Sequence, residues 1–185
     1  MGRIFWILLI GLTALSTHIG YILFAPKIVF ARQLEQQTAA VKKNQFQVLE
    51  PASQKQLFPL SPASSVVGIC KFDLSAGPVL LNANMPAGFW TLTIYDNSGK
   101  EFYNLNDQQS GTLNFSLKLV QAKSAVEQFT GKADAEAEGR NLGWTVETDT
   151  TTGVAVVWVP VSEPLMRQAI IAVLGPTACL VEKKS

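Results

Sequence analysis

Four carboxylates within residues 73–107 are the side chains best suited to acid–base chemistry in this sequence: Asp73, Asp96, Glu101 and Asp107. Paired carboxylates can serve as the general acid and base of a hydrolase. Asp96 and Asp107 fall in predicted turns, where aspartate commonly does no more than hydrogen-bond the backbone. A carboxylate-based hydrolase is therefore the least favoured of the three functions that the sequence suggests.

Nucleophilic and metal-dependent chemistry is disfavoured by the residue types present. The single histidine, His18, lies in the apolar N-terminal segment, so Ser75 and Ser98 have no histidine partner in the rest of the chain. A Ser-His-Asp triad or a Cys-His pair within one chain is excluded on this ground. One histidine and two cysteines also provide no metal-ligand spacing. The sequence predicts no catalytic residue, no metal and no cofactor.

Aromatic side chains offer a binding chemistry instead, because tyrosine and tryptophan can stack on sugars and other amphipathic molecules. Most of the aromatic residues are expected in the core, but the strand phase of Tyr95 points it outward. Asp73, Tyr95 and Tyr103 are the candidate binding residues, on the condition that one cleft collects them. A small-ligand or carbohydrate-binding module is the second predicted function.

Alternating apolar residues and regularly spaced turns predict five strands, over 66–73, 79–85, 90–95, 101–105 and 112–120. The last of these is expected to bury Leu113, Phe115, Leu117 and Leu119. A hairpin is predicted for 144–149 and 154–159 across TDTTTG, and its second strand, apolar on both faces, is expected at the centre of a sheet. Residues 121–129 fit a helix or a strand, and the charged segment 131–143 fits a solvated excursion.

A C-terminal helix over 166–174 is predicted, with Ser162 as its cap and Gly175 and Pro176 as its stop. Together with the strands, it indicates a mainly β fold. We expect an antiparallel β-sandwich or a partly closed barrel with a C-terminal helix, preceded by one N-terminal transmembrane helix.

Residues 4–24 carry no formal charge, and 21 helical residues span about 31 Å, which matches the hydrocarbon core of a bilayer. The segment is predicted to be an uncleaved anchor in the lipid bilayer. A cleaved signal peptide ending at Ala31 is the less favoured alternative, because the apolar run is long for one. The short start before Arg3 resembles an export signal, which places the C-terminal domain outside the cytoplasm, although charge counting weakly favours the reverse.

Thr13, Ser16, Thr17 and Gly20 share one face of this helix and form a candidate packing surface for a second helix. A homodimer or another membrane partner could use it, while an ordinary single span is the simpler interpretation. A proton or ligand role for His18 is disfavoured, because the span has no second ionisable group.

Between anchor and domain, Pro26 is expected to begin a stalk helix with Phe30, Leu34, Gln37 and Val41 on one side. Three prolines within 51–65 predict extended or turn geometry. The predicted organisation is therefore an anchor over 1–25, a stalk and Pro-rich linker over 26–64, and a β-rich extracytoplasmic domain over 65–185.

The two cysteines, Cys70 and Cys179, lie near opposite ends of the predicted domain. In an oxidising compartment we expect them to form a disulfide; two separate buried thiols are the alternative. Across the whole chain, 15 basic and 14 acidic residues give a net charge of +1, which provides no basic field for nucleic acid.

Residues 70–107 resemble a bacterial family of exported proteins known as a domain of unknown function, of the DUF twelve-fifty-four type. The matching features are Cys70, DLSAGP at 73–78, the Trp90 strand that ends in Tyr95, and GKEFY at 99–103. THI at 17–19, FAP at 24–26, FPL at 58–60 and AC at 178–179 also resemble its short membrane-anchored members. The resemblance implies an inner-membrane anchor, a periplasmic β-sandwich and no established activity.

These features make a non-enzymatic envelope protein the first predicted function. The helix would tether a rigid β-domain in the periplasm, where its surface would meet another envelope protein. This interpretation accounts for the anchor, the stalk and the missing catalytic set.

Overall fold

A computed structural model describes residues 2–39, 41–122 and 143–182, and it consists of a long N-terminal helix followed by two β-sheets. The helices are α1 (Gly2–Gln37), α2 (Pro51–Leu57), α3 (Asp107–Ser110) and α4 (Met166–Leu174). The strands are β1 (Phe46–Val48), β2 (Ser65–Asp73), β3 (Val79–Asn84), β4 (Thr91–Asp96), β5 (Glu101–Asn106), β6 (Asn114–Gln121), β7 (Gly143–Thr148), β8 (Thr152–Pro160) and β9 (Ala178–Val181).

The strands form a five-stranded sheet in the order β1-β2-β8-β4-β5 and a four-stranded sheet in the order β7-β6-β3-β9. All pairings are antiparallel except β6 with β7. The two sheets face one another in a sandwich-like arrangement and are not closed into a barrel. The mainly β fold with a C-terminal helix is thus confirmed, and the barrel alternative is wrong.

The core between the sheets is built from the alternating residues that the sequence marked as apolar. Phe72, Leu81, Trp90 and Leu117 are almost fully buried there. The rings of Trp90 and Phe115 stack with their centroids 5.6 Å apart. Because β8 lies between β2 and β4, its predicted central position is also confirmed.

The predicted disulfide between Cys70 and Cys179 is present. Cys70 lies in β2 of the larger sheet, and Cys179 lies in β9 of the smaller one. Their Cα atoms are 6.3 Å apart, across 109 residues of sequence. The bond therefore ties the two sheets together through the core.

Helix α1 runs for 36 residues without a break at Pro26, so the prediction that a new helix begins there is wrong. A proline inside a helix removes one hydrogen bond and bends the axis, but the flanking turns can continue. The N-terminal part of α1 is long and apolar enough to cross a membrane, and none of its most apolar stretch is buried against the rest of the protein.

Two local predictions are corrected by the topology. The strands β7 and β8 do not pair as a hairpin, because β7 joins β6 in the smaller sheet and β8 joins the larger one. Leu113 lies just before β6 and is exposed, whereas Phe115, Leu117 and Leu119 are buried as predicted. The turn sequence TDTTTG thus carries the chain from one sheet to the other.

Four of the elements named above were not predicted: α2, α3, β1 and β9. The Pro-rich segment holds α2, with Pro51 in its first turn, where the missing N–H of proline costs nothing. The short strand β1 pairs with β2, and β9 follows α4 and pairs with β3. Ser162 does not cap α4, whose N-terminal flanking residue is Leu165. The predictions for 121–129 and 131–143 fall largely on residues 123–142, outside the described residues.

Candidate functional site

The outer face of the five-stranded sheet carries an apolar groove of about 670 Å³, which we call the outer groove. Its floor comes from three neighbouring strands: Val67 and Ile69 of β2, Val154, Val156 and Trp158 of β8, and Thr91, Thr93 and Tyr95 of β4. In β2 and β8 both faces are apolar, so one set of side chains fills the core while the other set faces outward. The groove lies within the size range of small-molecule sites.

One wall of the outer groove is the C-terminal end of α1. Phe30, Gln33, Leu34 and Thr38 line it. The ring of Phe30 lies against the β4–β5 turn, only 2.8 Å from where a Cβ on Gly99 would be. Gly99 has φ of +84°, so glycine is required there for the backbone as well as for this contact. The predicted stalk is therefore docked against the sheet.

The opposite wall is formed by the end of α2 and the loop that follows it, through Leu57, Phe58, Pro59, Leu60, Ser61 and Pro62. Val41, Leu49, Val67, Ile69 and Val154 form a second buried apolar cluster beneath these two walls, with Leu34, Leu57 and Phe58 packed against it. The walls are held by apolar burial, which is worth about 25 cal/mol per Å².

Tyr95 is the predicted binding residue that lies in the outer groove. Burial raises the pKa of its hydroxyl, and the nearby Glu101 carboxylate raises it further. Tyr95 therefore stays neutral at physiological pH and offers a hydroxyl beside an apolar surface. Close by, the Thr93 hydroxyl accepts a hydrogen bond from Asn104 Nδ2 at 2.9 Å.

Asp73 lies at the end of β2 and is occupied by structural contacts. Its Oδ2 accepts a hydrogen bond from Lys43 Nζ at 2.8 Å, and its Oδ1 accepts from the Ser75 backbone N–H and hydroxyl. Asn44 bonds to the backbone of Asp73 in both directions. The hydrogen bonds from Lys43 and Ser75 lower the pKa of Asp73 from 3.8 to about 2.

Replacing Asp73 with asparagine is expected to lower the free energy of unfolding by about 1 kcal/mol at neutral pH, since Lys43 is well exposed and solvent screens the pair. The folded carboxyl has the lower pKa, so its contribution is complete above about pH 4 and is lost as the pH falls through about 2. Urea unfolding at several pH values checks this. A difference between wild type and D73N that does not shrink below pH 4 would contradict it.

Tyr103 lies on the other face of the same sheet. It pairs with Ile94 of β4 and packs against the core between the sheets, whereas Tyr95 faces the outer groove. Burial raises the pKa of Tyr103. The structure therefore does not bring Asp73, Tyr95 and Tyr103 into one cleft.

The remaining carboxylates that the sequence offered for catalysis are placed in turns or at strand ends. Asp96 accepts hydrogen bonds from the backbone and hydroxyl of Ser98 and from the Lys100 backbone. Asp107 is the first residue of α3. Within the described residues, no group of three histidine, cysteine or acidic side chains is arranged to hold a metal ion.

Comparison with known proteins gives structural neighbours only. No family model and no curated protein matches the chain. The chain is similar in structure to the VPA0106 protein from Vibrio parahaemolyticus, with a TM-score of 0.63 and 15% identity over 87% of this chain and 36% of that one. An uncharacterised protein from Burkholderia cenocepacia gives a TM-score of 0.44 and 10% identity over 65% of this chain and 32% of that one. The first likeness supports the fold, and the chain spans about a third of the length of both neighbours.

The predicted helix-packing residues lie on the exposed surface of α1. The hydroxyls of Thr13, Ser16 and Thr17 each donate to the carbonyl four residues earlier, which satisfies them within the helix. Gly20 has no atom within 4 Å of where its Cβ would be. The three hydroxyls are thus already satisfied, and Gly20 leaves open space beside the helix.

The sequence pattern indicated Tyr95 but not the rest of the outer groove. The sequences of β2 and β8 did indicate a second buried surface, because a strand with apolar residues on both faces must be packed against other residues on both faces. The cover comes from the segments predicted as stalk and linker, whose contacts with the sheet have no local sequence pattern.

Proposed function

We propose that this chain is a membrane-anchored, extracytoplasmic binding module that holds an apolar or amphipathic small molecule in the outer groove. The observation that carries the proposal is the groove itself, about 670 Å³ of space over an apolar sheet face between two walls. Of the functions that the sequence suggested, the small-ligand module fits this geometry best. Each CH₂ group that leaves water in such a groove contributes about 0.8 kcal/mol.

The membrane anchor fits this function because α1 connects the two parts directly. Its apolar segment ends at Phe24, and Phe30 already lines the groove, six residues or about 9 Å further along the helix. A ligand that partitions into the bilayer would therefore be concentrated close to the groove. In our proposal α1 is a single span in a bacterial inner membrane and the sheets lie in the periplasm, where an oxidising environment favours the disulfide.

Quenching of tryptophan fluorescence tests the groove. The full chain would carry Trp6→Phe, so that Trp158 reports on the groove without a signal from the apolar part of α1, and would be placed in phosphatidylcholine nanodiscs. A bromine-labelled fatty acid is expected to quench Trp158, and Trp158→Phe should remove the effect. Val156→Phe, which fills the floor, should weaken binding about tenfold or more, since it removes the space for several CH₂ groups.

The control is Leu113→Phe, which also introduces a phenylalanine, at an exposed position just before β6 outside the outer groove. It should leave quenching unchanged. Equal quenching in wild type and V156F, or no quenching that depends on Trp158, would refute the binding function.

The presentation of the β-domain to an envelope partner, the first function predicted from the sequence, is the second candidate. It is favoured by another surface, where Phe89, Leu165 and Met166 are exposed beside α4. Clustered exposed apolar side chains commonly mark protein contacts. Leu165→Ser should weaken such a partner contact and leave fatty-acid quenching intact, which separates the two functions; Phe89 is not used, because its ring packs against Trp158.

A further inference from the structure

A second, polar cavity of about 250 Å³ lies beside the outer groove, between α2 and α4. We call it the polar pocket. It is lined by Pro51, Gln54, Lys55, Pro59, Ser61, Ala63 and Arg167. Two of these side chains are cationic, and none is acidic. The polar pocket and the outer groove share Pro59 and Ser61, so they are direct neighbours on either side of one loop.

The side chains of the polar pocket are held in place by Ser65. Arg167 Nη1 donates to the Ser65 carbonyl at 2.9 Å, and Gln54 Nε2 donates to the Ser65 hydroxyl at 2.8 Å. The Ser65 hydroxyl in turn donates to the Pro62 carbonyl at 2.6 Å. Both long side chains are thus fixed at one end by hydrogen bonds.

Their other ends are buried without a hydrogen-bond partner among the described residues. These atoms are Arg167 Nη2, a donor, and Gln54 Oε1, an acceptor. Gln54 is 4% exposed, so solvent reaches it poorly. A buried polar atom without a partner is costly and rare, and a water, an ion or a polar group of a ligand can satisfy it.

The chemistry of this group follows from the two free atoms. Arg167 Nη2 requires an acceptor, and a guanidinium binds phosphate and carboxylate oxygens strongly. Gln54 Oε1 requires a donor, such as the protonated oxygen of the same acid group or a hydroxyl next to it. Lys55 adds a second positive charge at the exposed side. A monoprotonated phosphate group, which carries both a negative charge and an O–H donor, meets all three requirements.

We propose that the ligand of this protein is an anionic amphiphile with its acyl chain in the outer groove and its acidic headgroup in the polar pocket. This inference rests on the proposed function, because it places the apolar part of the ligand in the same groove. It adds the charge of the ligand and the residues that select it, Arg167 and Lys55 with Gln54.

Displacement of the bromine-labelled fatty acid from the full chain in phosphatidylcholine nanodiscs tests the inference. Three probes are compared: dodecyl phosphate, dodecanol and inorganic phosphate. Dodecyl phosphate is expected to bind about tenfold or more tightly than dodecanol, since a hydrogen bond to a charged group commonly has at least that effect. In Arg167→Gln this preference should disappear while dodecanol binding is unchanged.

Lys55→Gln provides a second variant, because Lys55 is exposed and its removal leaves the hydrogen bonds to Ser65 in place. It should reduce the preference by about threefold. An unchanged preference in both variants would overturn the headgroup site while dodecanol binding still supported the groove. Displacement by inorganic phosphate as effective as by dodecyl phosphate would overturn the placement of one amphiphile across both sites, because the acyl chain would then contribute nothing. If neither dodecanol nor dodecyl phosphate displaced the bromine-labelled fatty acid, the proposed function would be overturned as well.

Discussion

Replacing Cys70 with serine is expected to lower the free energy of unfolding by about 4–5 kcal/mol, a large share of the stability of a typical domain. The disulfide to Cys179 closes a loop of 109 residues and joins the two sheets. Without it, the unfolded chain gains the entropy that the crosslink removes, and the interior loses a link between β2 and β9. Urea unfolding of the oxidised wild type and of C70S measures the difference.

Cys179→Ser and the double variant provide the controls. Because either single change breaks the same bond, the double variant should be close to each single variant rather than to their sum. On a non-reducing gel the wild type should migrate faster than after reduction, and C70S should show no shift. Two reactive thiols in unfolded, unreduced protein from cells would contradict the bond and would count against the extracytoplasmic location that we propose.

The core of the fold could be predicted because its signal is local. Alternation around Leu92 and Leu117 identified strands with one buried face, and a strand apolar on both faces identified β8 as central. The cysteines could be paired because the domain offers two of them. The periodicity of the apolar residues and the number of cysteines were sufficient to predict these features.

Pairing partners could not be predicted, because they depend on contacts between distant segments. TDTTTG is a typical hairpin turn, yet Trp144 of β7 pairs with Leu117 of β6 while Trp158 of β8 pairs with Val67 and Thr91. Which sheet a strand joins depends on the apolar surface that is buried over the whole domain, and not on the turn sequence before the strand. Short elements such as β1 and β9 likewise gain their stability from the neighbouring strand.

The candidate site likewise combines a residue that local sequence could identify with residues that only long-range contacts bring together. Tyr95 was found from its strand phase, but Gln54 and Arg167 lie 113 positions apart and meet only through Ser65. Phe30 and Leu34 fitted a stalk stripe because docking against a sheet and packing against another helix require the same apolar spacing. Sequence periodicity identifies a face that is covered, but not what covers it.

Replacing Gly153 with alanine is expected to lower the free energy of unfolding by about 3 kcal/mol, at the upper end of the usual cost of overpacking. Gly153 lies in β8 between Phe72 of β2 and Asp96 of β4. A Cβ there would overlap the main-chain carbonyl oxygen of Tyr95 and the ring of Phe72. Because hydrogen bonds on both sides hold β8, the carbonyl cannot move unless β4 moves with it.

Gly68→Ala is the matched comparison, since its Cβ would meet only the far end of the Phe46 side chain. We expect it to cost about 1 kcal/mol, and the cost should vanish in a Phe46→Ala background, where the ring is absent. No side-chain substitution can restore the stability of G153A in this way, because the new Cβ also overlaps a main-chain carbonyl oxygen. Urea unfolding of the wild type, G153A, G68A, F46A and the double variant F46A/G68A tests these stabilities. G153A should also weaken the fatty-acid quenching of Trp158, since Tyr95 and Val154 belong to the groove floor. A G153A chain as stable as G68A would show that β4 and β8 separate easily. The interpretation of these strands as a rigid floor of the outer groove would then be wrong.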